Sequence, residues 1–104
     1  MAGRLDGKVA IITGAASGFG EGMAKRFAEE GCCVVVADMN GEGAERVAGE
    51  IGDNAVAVEV DVTDPLEVDA MLKAAAQYGP LDILVNNAGA SHRNMPMTEV
   101  DEAT

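Results

Sequence analysis

Short apolar runs and amphipathic segments alternate along most of the chain. Val9-Ala10-Ile11-Ile12 is apolar without a break, as a strand covered on both faces must be. Phe19, Met23 and Phe27 then recur every fourth residue, which predicts a helix with one apolar stripe. Gly31 stands where that helix would end in a left-handed residue. Cys33-Val34-Val35-Val36-Ala37 reads as a second strand buried on both faces. Ala44, Val47, Ala48 and Ile51 mark a second amphipathic helix, closed by Gly52.

Val56, Val58 and Val60 belong to a third strand. Asp64-Pro65-Leu66-Glu67 opens a third helix with a cap residue, a first-turn proline and a capping-box glutamate. Its apolar face is Val68, Met71, Leu72 and Ala75, and Gly79-Pro80 stops it. Ile83-Leu84-Val85 is a fourth buried strand, followed by Asn86-Asn87-Ala88-Gly89. After Ser91 the pattern turns polar, ending in what could be the first turns of another helix.

Strands alternating with helices require right-handed crossovers and a parallel sheet. The predicted fold class is therefore α/β, a Rossmann-like doubly wound sheet of about four strands in the order 3-2-1-4. That order sets the first strand beside the topological switch point. Residues 1–104 are expected to form a single domain.

Composition narrows the classes. Apolar residues make up 48% of the chain, too many for disorder. A net charge of −11 argues against nucleic acid and anionic membranes as partners. No apolar stretch approaches membrane-spanning length, and the start lacks a signal-peptide core, so the expected compartment is the cytoplasm. Cys32 and Cys33 would point to opposite faces as reduced core residues, without metal-ligand spacing.

The candidate chemistry begins at Thr13-Gly14-Ala15-Ala16-Ser17-Gly18-Phe19-Gly20, between the first strand and the first helix. A helix N-terminus offers unpaired N–H groups and the positive end of the macrodipole, and glycines let a ligand come close to the backbone. This is the geometry of a phosphate site. A P-loop would need Lys then Ser or Thr after the last glycine, where Glu21 and Gly22 stand. Asp38 ends the second strand, 18 residues past Gly20. A carboxylate there can accept hydrogen bonds from adenosine ribose hydroxyls and would repel a 2′-phosphate, which favours NAD. Asp61-Val62, after the third strand, could read adenine through the aspartate carboxylate and the valine backbone, or Asp61 could serve only as a cap.

Together, Thr13-Gly14-x-x-x-Gly18-x-Gly20, Asp61-Val62 and Asn86-Asn87-Ala88-Gly89 resemble the short-chain dehydrogenases/reductases. The resemblance implies that Gly14, Ser17, Gly18, Phe19 and Gly20 lie along the pyrophosphate and that Asp38 selects NAD. It also implies that Asp61 and Val62 hold adenine. Asn87, Ala88 and Gly89 would border the nicotinamide-side ribose, with Asn86 stabilising the central sheet. Phe19 departs from the family pattern, which usually has an aliphatic residue there.

The family's catalytic Tyr-x-x-x-Lys is not found in these residues. The one tyrosine, Tyr78, has Asp82 where the lysine would stand, and the family's catalytic serine falls beyond Thr104. His92 reads as a solvated loop residue, Met95, Pro96 and Met97 as loop packing. The expectation is a cofactor half-site that stops before the acid–base groups. Its function would be the NAD-binding part of an oxidoreductase moving a hydride between NAD(H) and a secondary alcohol or ketone. A small-molecule alcohol or carbonyl partner and a homo-oligomeric full-length protein are expected with it. Alternatives are a non-catalytic dinucleotide-binding module, or one chain of a split enzyme.

Overall fold

In the computed structural model, residues 5–87 are described. Seven elements follow in order: β1 (Val9–Thr13), α1 (Gly18–Glu29), β2 (Cys33–Asp38), α2 (Gly41–Ile51), β3 (Ala55–Glu59), α3 (Pro65–Ala76) and β4 (Ile83–Asn86). The four strands form one parallel sheet in the order β3-β2-β1-β4, as the alternation predicted.

Strand alternation divides the core in two. Ala10, Ile12, Val34, Val36 and Val85 face α1 and α2, where Ala24, Ala44, Val47 and Ala48 meet them. Val9, Ile11, Val35 and Ala37 face the other way, against Val60 and against Met71 and Ala75 of α3. Ile11, Ile12, Val34 and Val35 are fully buried. Burial on this scale contributes roughly 1.5–3 kcal/mol per large aliphatic side chain. Cys32 joins the first cluster and Cys33 packs against the second, so the adjacent thiols do lie on opposite faces, both reduced.

The helix ends follow their chemistry. Gly31 and Gly52 take φ of 91° and 106°, past the ends of α1 and α2. Asn40 caps α2 by accepting the Gly43 N–H, and Asp64 caps α3 by accepting the Leu66 N–H. The expected capping box is not closed, however. The Glu67 carboxylate accepts the Asp61 N–H at 2.8 Å, while the Asp64 N–H goes to the Asp61 carbonyl. The glutamate therefore fastens the loop before the helix instead of the cap residue.

The stripe predicted for α1 is also rotated. Phe19 is 84% exposed, whereas Gly20 and Ala24 are buried. Met23 and Phe27 only flank the core. The cause is close approach: a Cβ on Gly20 would lie 2.7 Å from the Gly14 carbonyl carbon and 2.9 Å from the Ala15 Cα. Small residues at 20 and 24 let the helix start tight against β1, which turns Phe19 outward. On α3, Met71 and Ala75 are buried as expected, but Leu72 stays partly in solvent. Among the described residues, no helix is long and apolar enough to cross a membrane.

Candidate dinucleotide site

Parallel pairing brings the C-terminal ends of all four strands to one edge of the sheet. Thr13 is in register with both Ala37 and Asn86, and Asp38 with Glu59. Gly14, Asp38, Asp61 and Asn87 therefore meet along one border, where an open α/β sheet binds its ligand.

The glycine turn occupies the middle of that border. Gly14 and Gly18 have φ of 65° and 62°, values that exclude most side chains. Ser17 has extended backbone angles and makes no side-chain cap, unlike Asn40 and Asp64 at the other two helices. No side-chain cap from Ser17 occupies the first-turn amides of α1, and Ser17, Gly18 and Phe19 are all exposed. The space a Cβ of Gly20 would fill is taken by the carbonyl of Gly14. These features fit a diphosphate lying across the turn.

Asp38 sits at the tip of β2, half-buried. Its Oδ2 accepts the Ala16 N–H at 3.0 Å and its Oδ1 accepts the Asn40 N–H at 2.9 Å. One carboxylate thereby joins the glycine turn to the start of α2. Each oxygen retains a second lone pair with which to receive a ribose hydroxyl. Asp61 lies beyond β3, where Oδ1 accepts both the Thr63 N–H (2.9 Å) and the Thr63 hydroxyl (2.7 Å). Those two bonds hold its carboxyl below the ordinary carboxylate range. Asp61 thus shapes its own loop, while Val62 packs partly against the α3-side core.

On the other flank, Thr13 ties the asparagines to the turn. Its hydroxyl accepts the Asn87 N–H at 2.9 Å and lies within donating distance of Asn86 Oδ1 (3.1 Å) and the Val85 carbonyl (3.3 Å). The Asn87 carboxamide donates to the Gly14 carbonyl at 3.3 Å. Ala88 and Gly89, also expected here, lie outside the described residues, as do His92, Met95, Pro96, Met97 and the polar end of the chain.

Two further residues hydrogen-bond at the turn, Thr13 and Arg46. The sequence pattern marks Thr13 only as the start of the turn and gives Arg46 no role, yet Arg46 Nη2 donates to the Ala16 carbonyl at 3.0 Å. Neither contact leaves a local signal, since the partners lie 30 to 74 residues apart. Tyr78 stays away from the site. It follows α3, and a Cβ on its neighbour Gly79 would lie 3.7 Å from Val9 Cγ2, at the opposite end of β1. Asp82 is occupied there with the Val9 N–H at 2.9 Å. Among the described residues, no group of three or more His, Cys, Asp or Glu is gathered to hold a metal.

The chain is similar to known proteins along most of its length. A family model described as short chain dehydrogenase matches residues 8–104. Galactitol 2-dehydrogenase of Agrobacterium fabrum is 51% identical over 86 residues, covering 82% of this chain and 34% of the relative. The crystal structure of 3-ketoacyl-(acyl-carrier-protein) reductase from Brucella melitensis complexed with NADH superposes with a TM-score of 0.76 at 61% identity. That match covers 78% of this chain and 34% of the other. A 7α-hydroxysteroid dehydrogenase complexed with NADH and 7-oxo glycochenodeoxycholic acid gives a TM-score of 0.80 at 44% identity, over 92% of this chain and 40% of the other. The chain therefore spans little more than a third of the length of these relatives.

Proposed function

Since the chain belongs to the short-chain dehydrogenase family, we propose that it is the NAD-binding part of an oxidoreductase acting on a secondary alcohol or ketone. The observation that carries this reading is the uncapped N-terminus of α1, set between the Asp38 carboxylate and the Thr13–Asn87 pair. The amides of the first turn hold the pyrophosphate, and the closeness of Gly20 to Gly14 keeps that surface free of side chains. Asp38 receives the adenosine ribose hydroxyls, and its charge disfavours a 2′-phosphate. Asp61 and Val62 border adenine, and Asn87 borders the second ribose.

The bound cofactor supplies the hydride chemistry, and the described residues bind and orient it. A proton must also pass to or from the substrate oxygen, and none of the residues placed along the site is assigned that task. Support for NAD comes from the two structural relatives solved with NADH.

The test is calorimetric titration of the intact protein with NAD and with NADP. NAD is expected to bind at least tenfold more tightly, as a difference of about 1.4 kcal/mol implies, and to support oxidation of secondary alcohols. Tighter binding of NADP would refute the role given to Asp38. No affinity for either would refute the dinucleotide reading.

A further inference from the structure

The contact between Arg46 and the glycine turn belongs to a larger arrangement that the dinucleotide reading does not use. Glu21 lies in the first turn of α1, where a carboxylate favours the helix but opposes an anion arriving at the same terminus. It does not stand alone. Lys25 Nζ lies 2.8 Å from Glu21 Oε2, and Arg46 Nη2 lies 3.3 Å from Glu21 Oε1. Glu50 completes the set, 2.7 Å from Lys25 and 3.1 Å from Arg46. Two cations and two carboxylates alternate between α1 and α2, with no net charge among them. Hydrogen bonds from Lys25 and Arg46 hold both carboxyls below their usual range, so the set remains ionised at neutral pH.

Arg46 is the member that also reaches the turn. Ala16 is gripped at both ends of its backbone: Asp38 takes its N–H at 3.0 Å, and Arg46 binds its carbonyl at 3.0 Å. The start of α2 lies against the same residue, since a Cβ on Gly43 would come within 2.9 Å of the Ala16 Cβ. Ala16 directly precedes Ser17 and the open helix terminus. Whatever fixes the Ala16 peptide fixes the direction of the first-turn amides.

Resting on the dinucleotide reading, we propose that Arg46 is a positioning residue for the diphosphate turn. It anchors the Ala16 carbonyl and, with Lys25, cancels the charge of Glu21 beside the bound phosphates. The planar guanidinium suits both tasks because its forked donors can serve a carbonyl and two carboxylates together. An ammonium at the same position could neutralise Glu21 but could not keep all three partners.

The experiment is titration of the intact protein with NAD, for Arg46→Met, Arg46→Lys, Glu21→Gln and the Arg46→Met/Glu21→Gln pair, alongside melting without cofactor. Arg46→Met is expected to weaken NAD binding about tenfold, the scale of one charge-assisted hydrogen bond. The deficit should shrink as salt rises from about 0.05 to 0.5 M, because part of it is the exposed charge of Glu21. Glu21→Gln should restore part of the affinity in the Arg46→Met background, and should bind NAD at least as tightly as the natural protein when made alone. Arg46→Lys should fall between. A purely structural role would lower melting in parallel and would give no recovery and no salt dependence.

NAD affinity within twofold of the natural protein in Arg46→Met would overturn the proposal. So would weakened binding in Glu21→Gln alone, a variant that keeps the inference testable even if Arg46→Met fails to fold. If the unmodified protein does not bind NAD, the dinucleotide reading falls and this proposal with it. An intact affinity that ignores Arg46 removes the proposal only.

Discussion

Replacing Gly20 with alanine adds a single methyl group at the tightest contact between α1 and β1. The new Cβ would lie 2.7 Å from the Gly14 carbonyl carbon and 2.9 Å from the Ala15 Cα, all of it backbone. That backbone cannot easily retreat, because Ala15 is fully buried and its N–H is bonded to the Ala37 carbonyl at 3.1 Å. Overpacking of this kind costs about 1–3 kcal/mol, and rigid neighbours put the value at the upper end. Alanine in a helix returns up to roughly 1 kcal/mol relative to glycine, leaving a net loss of about 2 kcal/mol. Gly49→Ala is the matched control. It makes the same chemical change on an exposed face of α2, with nothing within 4 Å of the new atom. It should stabilise by up to about 1 kcal/mol. Urea denaturation of the intact protein without cofactor measures the difference, near 3 kcal/mol between two identical substitutions. NAD titration should show weakened binding only for Gly20→Ala, whose helix must shift away from the turn. Gly20→Ala with natural stability and natural NAD affinity would refute the close-approach argument.

Thr13→Val keeps the shape of the side chain but removes the acceptor for the Asn87 N–H. A loss of about 1–3 kcal/mol is expected, with faster exchange of the Asn87 amide by NMR and most of the stability retained in Thr13→Ser. Equal protection of that amide in Thr13→Val would contradict the pinning role. Burial, helped by nearby Cys33 and Asp82, raises the Cys32 thiol from 9.0 to about 11. Because the folded value lies above the unfolded one, this contribution to stability is intact below about pH 8.5 and is lost as pH climbs towards 11. Denaturation curves between pH 8 and 11 should show that decline, removed in Cys32→Ala. Iodoacetamide should label Cys32 in the folded protein slowly at pH 8.

The sheet order was legible because alternation of period and polarity is local, and chain handedness restricts the topology that can follow. The placement of Asp38 at the end of a strand and of the glycine turn before a helix was legible for a similar reason, since both positions follow from the same local alternation. Phe19 was misjudged because a four-residue spacing fixes which residues share a face, but not which face meets the core. The approach of Gly20 to Gly14 decides that, and it exists only once β1 and α1 are packed. Glu67 has the capping-box spacing, yet the loop geometry before α3 offered it the Asp61 amide first. Thr13 and Arg46 act across 73 and 30 residues of chain, where a single sequence carries no sign of pairing. Tyr78 and Asp82 lack the spacing partner that the family motif requires, and the structure sets them by Val9, at the end of β1 away from the glycine turn.

Asp38 has a consequence for redesign. The residue that would choose between cofactors also supplies the acceptors for two backbone amides, one in the glycine turn and one ahead of α2. A smaller neutral residue, introduced to admit a phosphorylated ribose, would leave both amides without their partner and loosen the surface the diphosphate needs. Under the NAD reading proposed above, cofactor choice and turn rigidity would share one side chain, and neither could be edited alone. An engineer switching this protein to NADP would have to supply a new acceptor for the Ala16 N–H before supplying a cation for the phosphate.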